Sequence, residues 1–230
     1  MIVVIATRNK HKVEEIRACL GEGFDYLTLR DFPNAPVPVE DQPTFAGNAT
    51  KKASLLARWL AEQRLQSQTV FVLADDSGLE VDALGGAPGV NSARFAALDR
   101  GGQSNSTDAE NNAKLLRLLV GVPPDRRTAR FRCAIALARV APASRAGDES
   151  EPSGTRVARG EPLIFEGTCE GRILESPRGT AGFGYDPLFL PDGHAQTFAE
   201  LGDEVKNKIS HRARALAKLR RWFAEQRRHD

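Results

Sequence analysis

The chain reads as an α/β domain, and three stretches carry that reading. Ile2 to Ala6 is an uninterrupted apolar run, the mark of a strand buried on both faces. It passes through a polar turn into Val13, Ile16 and Leu20 at helical spacing. Val70-Phe71-Val72-Leu73 then reads as a second buried strand of about five residues. The turn formers after it place Asp75 and Asp76 at its C-terminal mouth, the position where α/β folds bind ligands.

Composition narrows the classes. At 230 residues the chain can bury a full core, as one domain or as two lobes sharing one sheet. A hydrophobic share of 41% and a charged share of 27% are ordinary for a globular protein. The net charge of +2 argues against a strongly basic nucleic-acid binder or a membrane-surface protein. No apolar segment reaches the ~18 residues a membrane helix needs, and the N-terminus enters a strand without a signal peptide. Cys19, Cys133 and Cys169 are odd in number and lack metal-type spacing, so free thiols and a cytoplasmic location are expected.

The first strand runs straight into Thr7-Arg8-Asn9-Lys10-His11-Lys12, and Gly21 is placed to end the helix that follows. A strand, a turn and a helix N-terminus make an anion site, because free backbone N–H groups and the helix dipole point at the turn. The same residues also fit a capped helix start with solvated lysines. Four prolines make Pro33 to Pro43 an extended loop, with Glu40 and Asp41 just ahead of Thr44, a good N-cap. The next helix carries Ala49, Ala53, Leu56 and Leu60 on one stripe and is expected to last to about Gln63.

Two adjacent carboxylates beside a buried strand are expensive unless something neutralises them, and a divalent cation is the usual remedy. A solvated Asp-Asp-Ser-Gly turn is the competing reading. Gly85 to Gly89 is a turn-rich loop, followed by Ser92-Ala93-Arg94 and a polar, glycine-rich stretch from about Leu98 to Ser106 that is expected to be mobile. Thr107-Asp108-Ala109-Glu110 is a capping box opening a helix with Leu115, Leu116, Leu118 and Leu119. Thr128 to Val140 alternates, with Phe131, Cys133, Ile135 and Leu137 on one face, and reads as a half-buried strand. Residues 141–160 lack apolar periodicity and read as a flexible hairpin insertion. Leu163, Phe165 and Cys169 suggest an antiparallel return.

Gly179 to Asp186 is dense in glycine, so backbone can approach a ligand closely, and Phe183 and Tyr185 could stack on a flat ring. A tight turn with both aromatics packed inward is the alternative. Thr197-Phe198-Ala199-Glu200 is a second capping box, and Ser210 caps a final helix whose Ala213, Leu216, Leu219 or Arg220, and Phe223 face the core. Cations in its first turn, His211-Arg212, oppose the helix dipole and so suggest a ligand role.

Six of these segments, taken together, resemble the inosine triphosphate pyrophosphatase family. They are Thr7 to Lys12, Glu40 ahead of Thr44-Phe45, Ala74 to Leu79, Gly85 to Gly89 with Ser92-Ala93-Arg94, Gly182 to Pro187, and Lys206 with Ile209 to Arg212. They occur in family order over nearly the whole chain. The resemblance implies a mixed, twisted sheet flanked by helices, in two lobes around a deep cleft, and usually a homodimer. It implies Mg²⁺-dependent hydrolysis of deaminated purine nucleoside triphosphates (dITP, ITP, XTP) to monophosphate and pyrophosphate.

By the same resemblance, Asp76 is the general base and a metal ligand, Glu40 helps hold Mg²⁺, and Asp75 belongs to the same acidic group. Thr7, Arg8, Asn9, Lys10, His11 and Lys12 would cradle the triphosphate, with Lys206 also neutralising charge and Ser77 beside the phosphates. Phe183, Gly184, Tyr185, Asp186, His211 and Arg212 would enclose the base. The chain departs from the pattern at Arg8, where many relatives have glycine, and at Ala46-Gly47, where relatives usually carry a glutamate.

Two other functions are weighed against this one. A nucleotide-binding sensor without chemistry would gain by losing the negative charge of Glu40, Asp75 and Asp76. A pyrophosphatase for other modified nucleoside triphosphates keeps all the same residues. No strip of basic residues interleaved with aromatics marks a nucleic-acid partner.

Overall fold

The computed structural model describes residues 1–63, 69–102, 104–140 and 160–227. The insertion expected at 141–160 lies, except for Gly160, outside the described residues. Six strands form one sheet in the order β2-β1-β3-β4-β5-β6. They are β1 (Ile2–Ile5), β2 (Asp25–Thr28), β3 (Val70–Val81), β4 (Thr128–Arg139), β5 (Leu163–Ile173) and β6 (Phe189–Pro191). The α-helices among the described residues are α1 (Lys10–Leu20), α2 (Phe45–Glu62), α3 (Asp108–Leu118), α4 (Phe198–Ile209) and α5 (His211–Gln226). β1 runs parallel to both β2 and β3, whereas β5 and β6 are antiparallel, so the sheet is mixed as expected.

The chain divides into two compact units, Met1–Asp76 with Ala134–Phe165, and Ser77–Cys133 with Glu166–Asp230. In the first, Val3, Val4 and Ile5 are fully buried, as an apolar strand flanked by parallel partners must be. Asn9 caps α1 by accepting from the Lys12 amide at 3.2 Å, and Gly21, at φ 77°, ends it. Thr44 caps α2 through the Gly47 amide, 3.0 Å away, and Ala49, Ala53, Leu56 and Leu60 form its buried stripe.

The second unit centres on aromatic rings. Phe131 lies 4.7 Å from Phe189 and 6.0 Å from Phe198, ring centre to ring centre. Both expected capping boxes are present, at Thr107–Glu110 and Thr197–Glu200. Ser210 caps α5 by accepting from the Ala213 amide at 3.2 Å. Leu219 rather than Arg220 completes the buried face of α5. β6 pairs with only the last three residues of β5, Gly171 to Ile173. Farther up, the carbonyls of Thr168 and Glu166 accept from Arg214 and Lys218, each at 2.7 Å, so side chains of α5 do what a longer strand would do.

Two expectations change. β3 is not a five-residue strand ending in a turn but a twelve-residue strand, so Asp75 and Asp76 sit within it rather than at its mouth. Leu79 and Val81 are fully buried beyond Ser77-Gly78, and that second apolar pair carries the extended chain onward. β4 is half-buried only at its start, because Cys133 to Ala138 are buried on both faces, where the alternate positions are alanines. In the stretch expected to be mobile, Ala97–Arg100 forms a 3₁₀ turn, closed by Gly101 at φ 68°.

Candidate active site

In the first unit the functional side chains converge on the middle of β3. Asp75 and Asp76 are 2% and 6% exposed, which excludes a solvated turn. Lys12, from the first turn of α1, donates to Asp75 Oδ1. Lys52, on α2, donates to Asp76 Oδ1 at 2.9 Å, to Glu40 Oε1 at 3.0 Å and to the Asp75 carbonyl at 3.0 Å. Asn48, one turn earlier on α2, donates to Asp76 Oδ2 at 3.2 Å and accepts from the Gln42 amide at 3.0 Å. Both oxygens of Asp76 are thus held by α2 residues spaced i, i+4, on one helix face.

Lys12 and Lys52 are set against the carboxylates of Asp75, Asp76 and Glu40. Burial pushes the Asp76 carboxyl above the ordinary carboxylate range, against the pull of Lys52 and Lys12. Burial also works against the Lys52 ammonium, but Asp76 and Glu40 outweigh it and keep Lys52 protonated. Among the described residues no three His, Cys, Asp or Glu side chains are grouped to hold a metal. Glu40 and Asp76 both accept from the one Lys52 ammonium. The rest of the phosphate turn is exposed: Arg8, Asn9, Lys10 and His11 face solvent, with Lys10 and His11 at 3.6 and 3.9 Å from the Glu14 carboxylate.

The second unit gathers the residues expected around a base. Asp186 Oδ2 accepts from Lys206 Nζ at 2.6 Å and from the Phe183 amide at 2.9 Å. Asp186 and Lys206 are 2% and 1% exposed, so breaking this ion pair by removing one partner would cost about 3–5 kcal/mol. The Lys206 ammonium lies 4.4 Å from the Phe183 ring centre, and the Arg212 guanidinium 5.9 Å from it. Arg212 donates to Ser77 Oγ at 2.8 Å, and His211 stacks on Phe131 at 4.8 Å and 12°. Ser77 follows Asp76 directly in β3, so the two groups of residues join through one peptide bond.

Two of the residues expected around a base have partners within the second unit. Tyr185 is turned inward, 3% exposed, with its hydroxyl donating to the Ser92 carbonyl at 2.8 Å, and burial raises its pKa. The Tyr185 ring therefore belongs to the core, whereas Phe183 is half-buried. The Gly184 peptide is also engaged: its amide donates to Asp108 Oδ2 at 2.6 Å and its carbonyl accepts from Asn112 Nδ2 at 3.0 Å. Sequence reasoning missed Lys52, Asn48, Asp108 and Asn112. For the first two a signal existed, since polar residues at i, i+4 border the Ala49–Ala53 stripe just after the Thr44 cap. Cys169 offers no nucleophile, because burial pushes its thiol up to about 11.

Comparison with known proteins places this geometry. The Ham1 family profile matches residues 3–222. A protein of Desulforamulus reducens named dITP/XTP pyrophosphatase is 48% identical over 219 residues, covering 95% of this chain and 93% of that protein. A protein of the same name from Geobacter sulfurreducens is also 48% identical, over 95% of this chain and 94% of its own length. Among solved structures, a HAM1 protein from Coxiella burnetii matches with a TM-score of 0.75 at 36% identity, covering 98% of this chain and 99% of that one. The Ham1 protein of Staphylococcus aureus matches with a TM-score of 0.74 at 32% identity, covering 98% and 100%. By profile, sequence and fold together, the chain belongs to the Ham1 family.

Proposed function

We propose that the protein hydrolyses dITP, ITP and XTP to nucleoside monophosphate and pyrophosphate in a Mg²⁺-dependent reaction. One observation carries the chemistry: a buried carboxylate, Asp76, is held at both oxygens, by Asn48 at 3.2 Å and Lys52 at 2.9 Å, with Glu40 on the same ammonium. Relatives across nearly the whole chain bear the name dITP/XTP pyrophosphatase, which supports the substrate class.

The residues suit Mg²⁺. Glu40 and Asp76 offer hard oxygen donors, and two protein ligands leave most of an octahedral shell to water and phosphate, which is how Mg²⁺ is usually held. A bound Mg²⁺ would neutralise phosphate charge and polarise the phosphoryl oxygens. Asp76 takes a proton from the water that attacks the α-phosphorus. As the new P–O bond forms, the bond to the bridging oxygen breaks and pyrophosphate leaves. Lys52 and Asn48 hold Asp76 in place for that proton transfer. Lys12, Lys10 and Arg8 provide cations for the triphosphate, and Thr7, Asn9 and His11 complete the turn. Phe183 stacks on the base, while Arg212 and His211 donate toward the 6-oxo group that adenine lacks. Resemblance also supports a cytoplasmic homodimer.

The test is pyrophosphate release from ITP, dITP, XTP, GTP and ATP, with and without Mg²⁺. It is run on protein whose solution mass is measured, with two copies of the 25.0 kDa chain as the expected state. Turnover of the oxo-purine triphosphates well above ATP, lost on chelation, is the expected result. Orthophosphate as product, or ATP turned over equally, would overturn the reading, and tight binding without turnover would favour a sensor.

A further inference from the structure

Phe183 sits between two glycines in the left-handed region, Gly182 at φ 77° and Gly184 at φ 63°. A ring on such a hinge has no position of its own, because glycine leaves the backbone on either side of it free to rotate. On the N-terminal side the Asp186 carboxylate fixes it, accepting from the Phe183 amide at 2.9 Å, while the Asp186 amide donates to the Phe183 carbonyl at 3.3 Å. On the C-terminal side the hold comes from α3, over seventy residues away in sequence. Asp108 Oδ2 accepts from the Gly184 amide at 2.6 Å, and Asn112 Nδ2 donates to the Gly184 carbonyl at 3.0 Å. Asp108 and Asn112 are spaced i, i+4, so they lie one above the other on the same helix face. They hold one residue through the peptide groups on both sides of its Cα, the amide before it and the carbonyl after it.

The carboxamide of Asn112 is oriented at some cost. Its Oδ1 is buried and has no hydrogen-bond partner, so the orientation is selected by the bond from Nδ2 to Gly184. A residue serving stability alone would gain by pairing that oxygen or by being apolar. Gly184 itself is half-buried, so water can reach its peptide if the grip is removed.

We propose that Asp108 and Asn112 are positioning residues for base recognition, clamping the Gly184 peptide so that the Phe183 ring is held ready to stack. The inference rests on the proposed nucleotide reaction for its kinetic consequence, but the clamp itself can be tested without it. The ring position contributes to binding the base, which is common to ground and transition states, so its loss raises KM and leaves kcat in place. Asp108→Asn keeps an acceptor oxygen for the Gly184 amide and serves as the conservative control. Asn112→Leu removes the carboxamide, and with it the unpaired buried oxygen, while keeping the branching at Cγ.

Two measurements decide it. The first is amide hydrogen exchange over residues 182–187 of the substrate-free protein. The second is kcat and KM for ITP with Mg²⁺, with Tm measured alongside. Expected results are faster exchange in this segment and a KM raised about three- to tenfold in Asp108→Ala and Asn112→Leu. The kcat should stay within twofold, and Asp108→Asn should lie near wild type in both readouts. Unchanged exchange would overturn the clamp, and faster exchange with unchanged KM would overturn its role in positioning. A fall in kcat matching a fall in Tm would replace it with a purely structural role. If the wild type released no pyrophosphate from any oxo-purine triphosphate, the reaction would fall, and the exchange data would still judge the clamp.

Discussion

At the scale of single residues, Asp76 is where the balance of forces is closest. Its carboxyl is raised above the ordinary value of 3.8 because burial penalises the charged form, and Lys52 and Lys12 recover part of that penalty. Between the ordinary and the raised value the folded state holds more protons than the unfolded state. Stability therefore falls as pH rises across that window, and the cost is fully present above it. Asp76→Asn removes the titration and the base together. The variant should lose at least about a hundredfold in turnover, the lower range for general-base catalysis. In chelator its Tm should gain on that of the wild type as pH goes from about 4 to 7, since the wild type alone takes on the charge. Thermal melts across that range check the sign, and a gap between the two proteins that stays flat with pH would refute it.

At the scale of elements, the contact of α5 with β5 decides where His211 and Arg212 stand. Gly167 has no side chain because α5 leaves no room for one. A Cβ there would lie 2.6 Å from the Ala215 amide nitrogen, and closer still to the His211 carbonyl oxygen. Backbone cannot yield as a flexible side chain can, so Gly167→Ala should shift the first turn of α5. The cost expected for such overpacking is about 1–3 kcal/mol, or about 2–4 °C in Tm for each kcal/mol at this chain length. The same shift should weaken ITP binding through His211 and Arg212. Gly160→Ala, where an added Cβ meets nothing within 4 Å among the described residues, is the control and should be silent. Equal melting of the two variants would remove the argument.

At the scale of the whole molecule, the proposed function divides its roles between the two compact units, and β3 passes from one to the other at the Asp76–Ser77 bond. Substitutions should therefore sort by unit. Glu40→Gln, in the first, should raise the Mg²⁺ concentration needed for half-maximal rate and leave the ratio of ITP to ATP turnover unchanged. Arg212→Ala, in the second, should narrow that ratio by about tenfold to a hundredfold, the worth of one buried donor left unpaired by the wrong base. It should leave the Mg²⁺ requirement alone. Titrating Mg²⁺ against both nucleotides separates these effects, and a change of both properties in either variant would contradict the division.

Much of this was legible in the chain alone, for local reasons. Strand β1, the caps at Thr44, Thr107, Thr197 and Ser210, and the end of α1 at Gly21 follow from periodicity, hydroxyl capping and glycine's freedom at positive φ. The acidic pair, the cationic turn and the glycine loop were visible as motifs because each is contiguous. What the tertiary structure decided depends on partners distant in sequence. It set the length of β3, because a strand reading Asp-Asp-Ser-Gly is extended only when neighbours bury and pair it. It turned Tyr185 inward to Ser92. It brought Lys52 and Asn48 to Asp76, and Asp108 and Asn112 to Gly184. A lysine or asparagine on a helix face reads as solvated until folding places a buried carboxylate or a peptide within about 3 Å, where an unmet charge or dipole costs too much to leave unpaired.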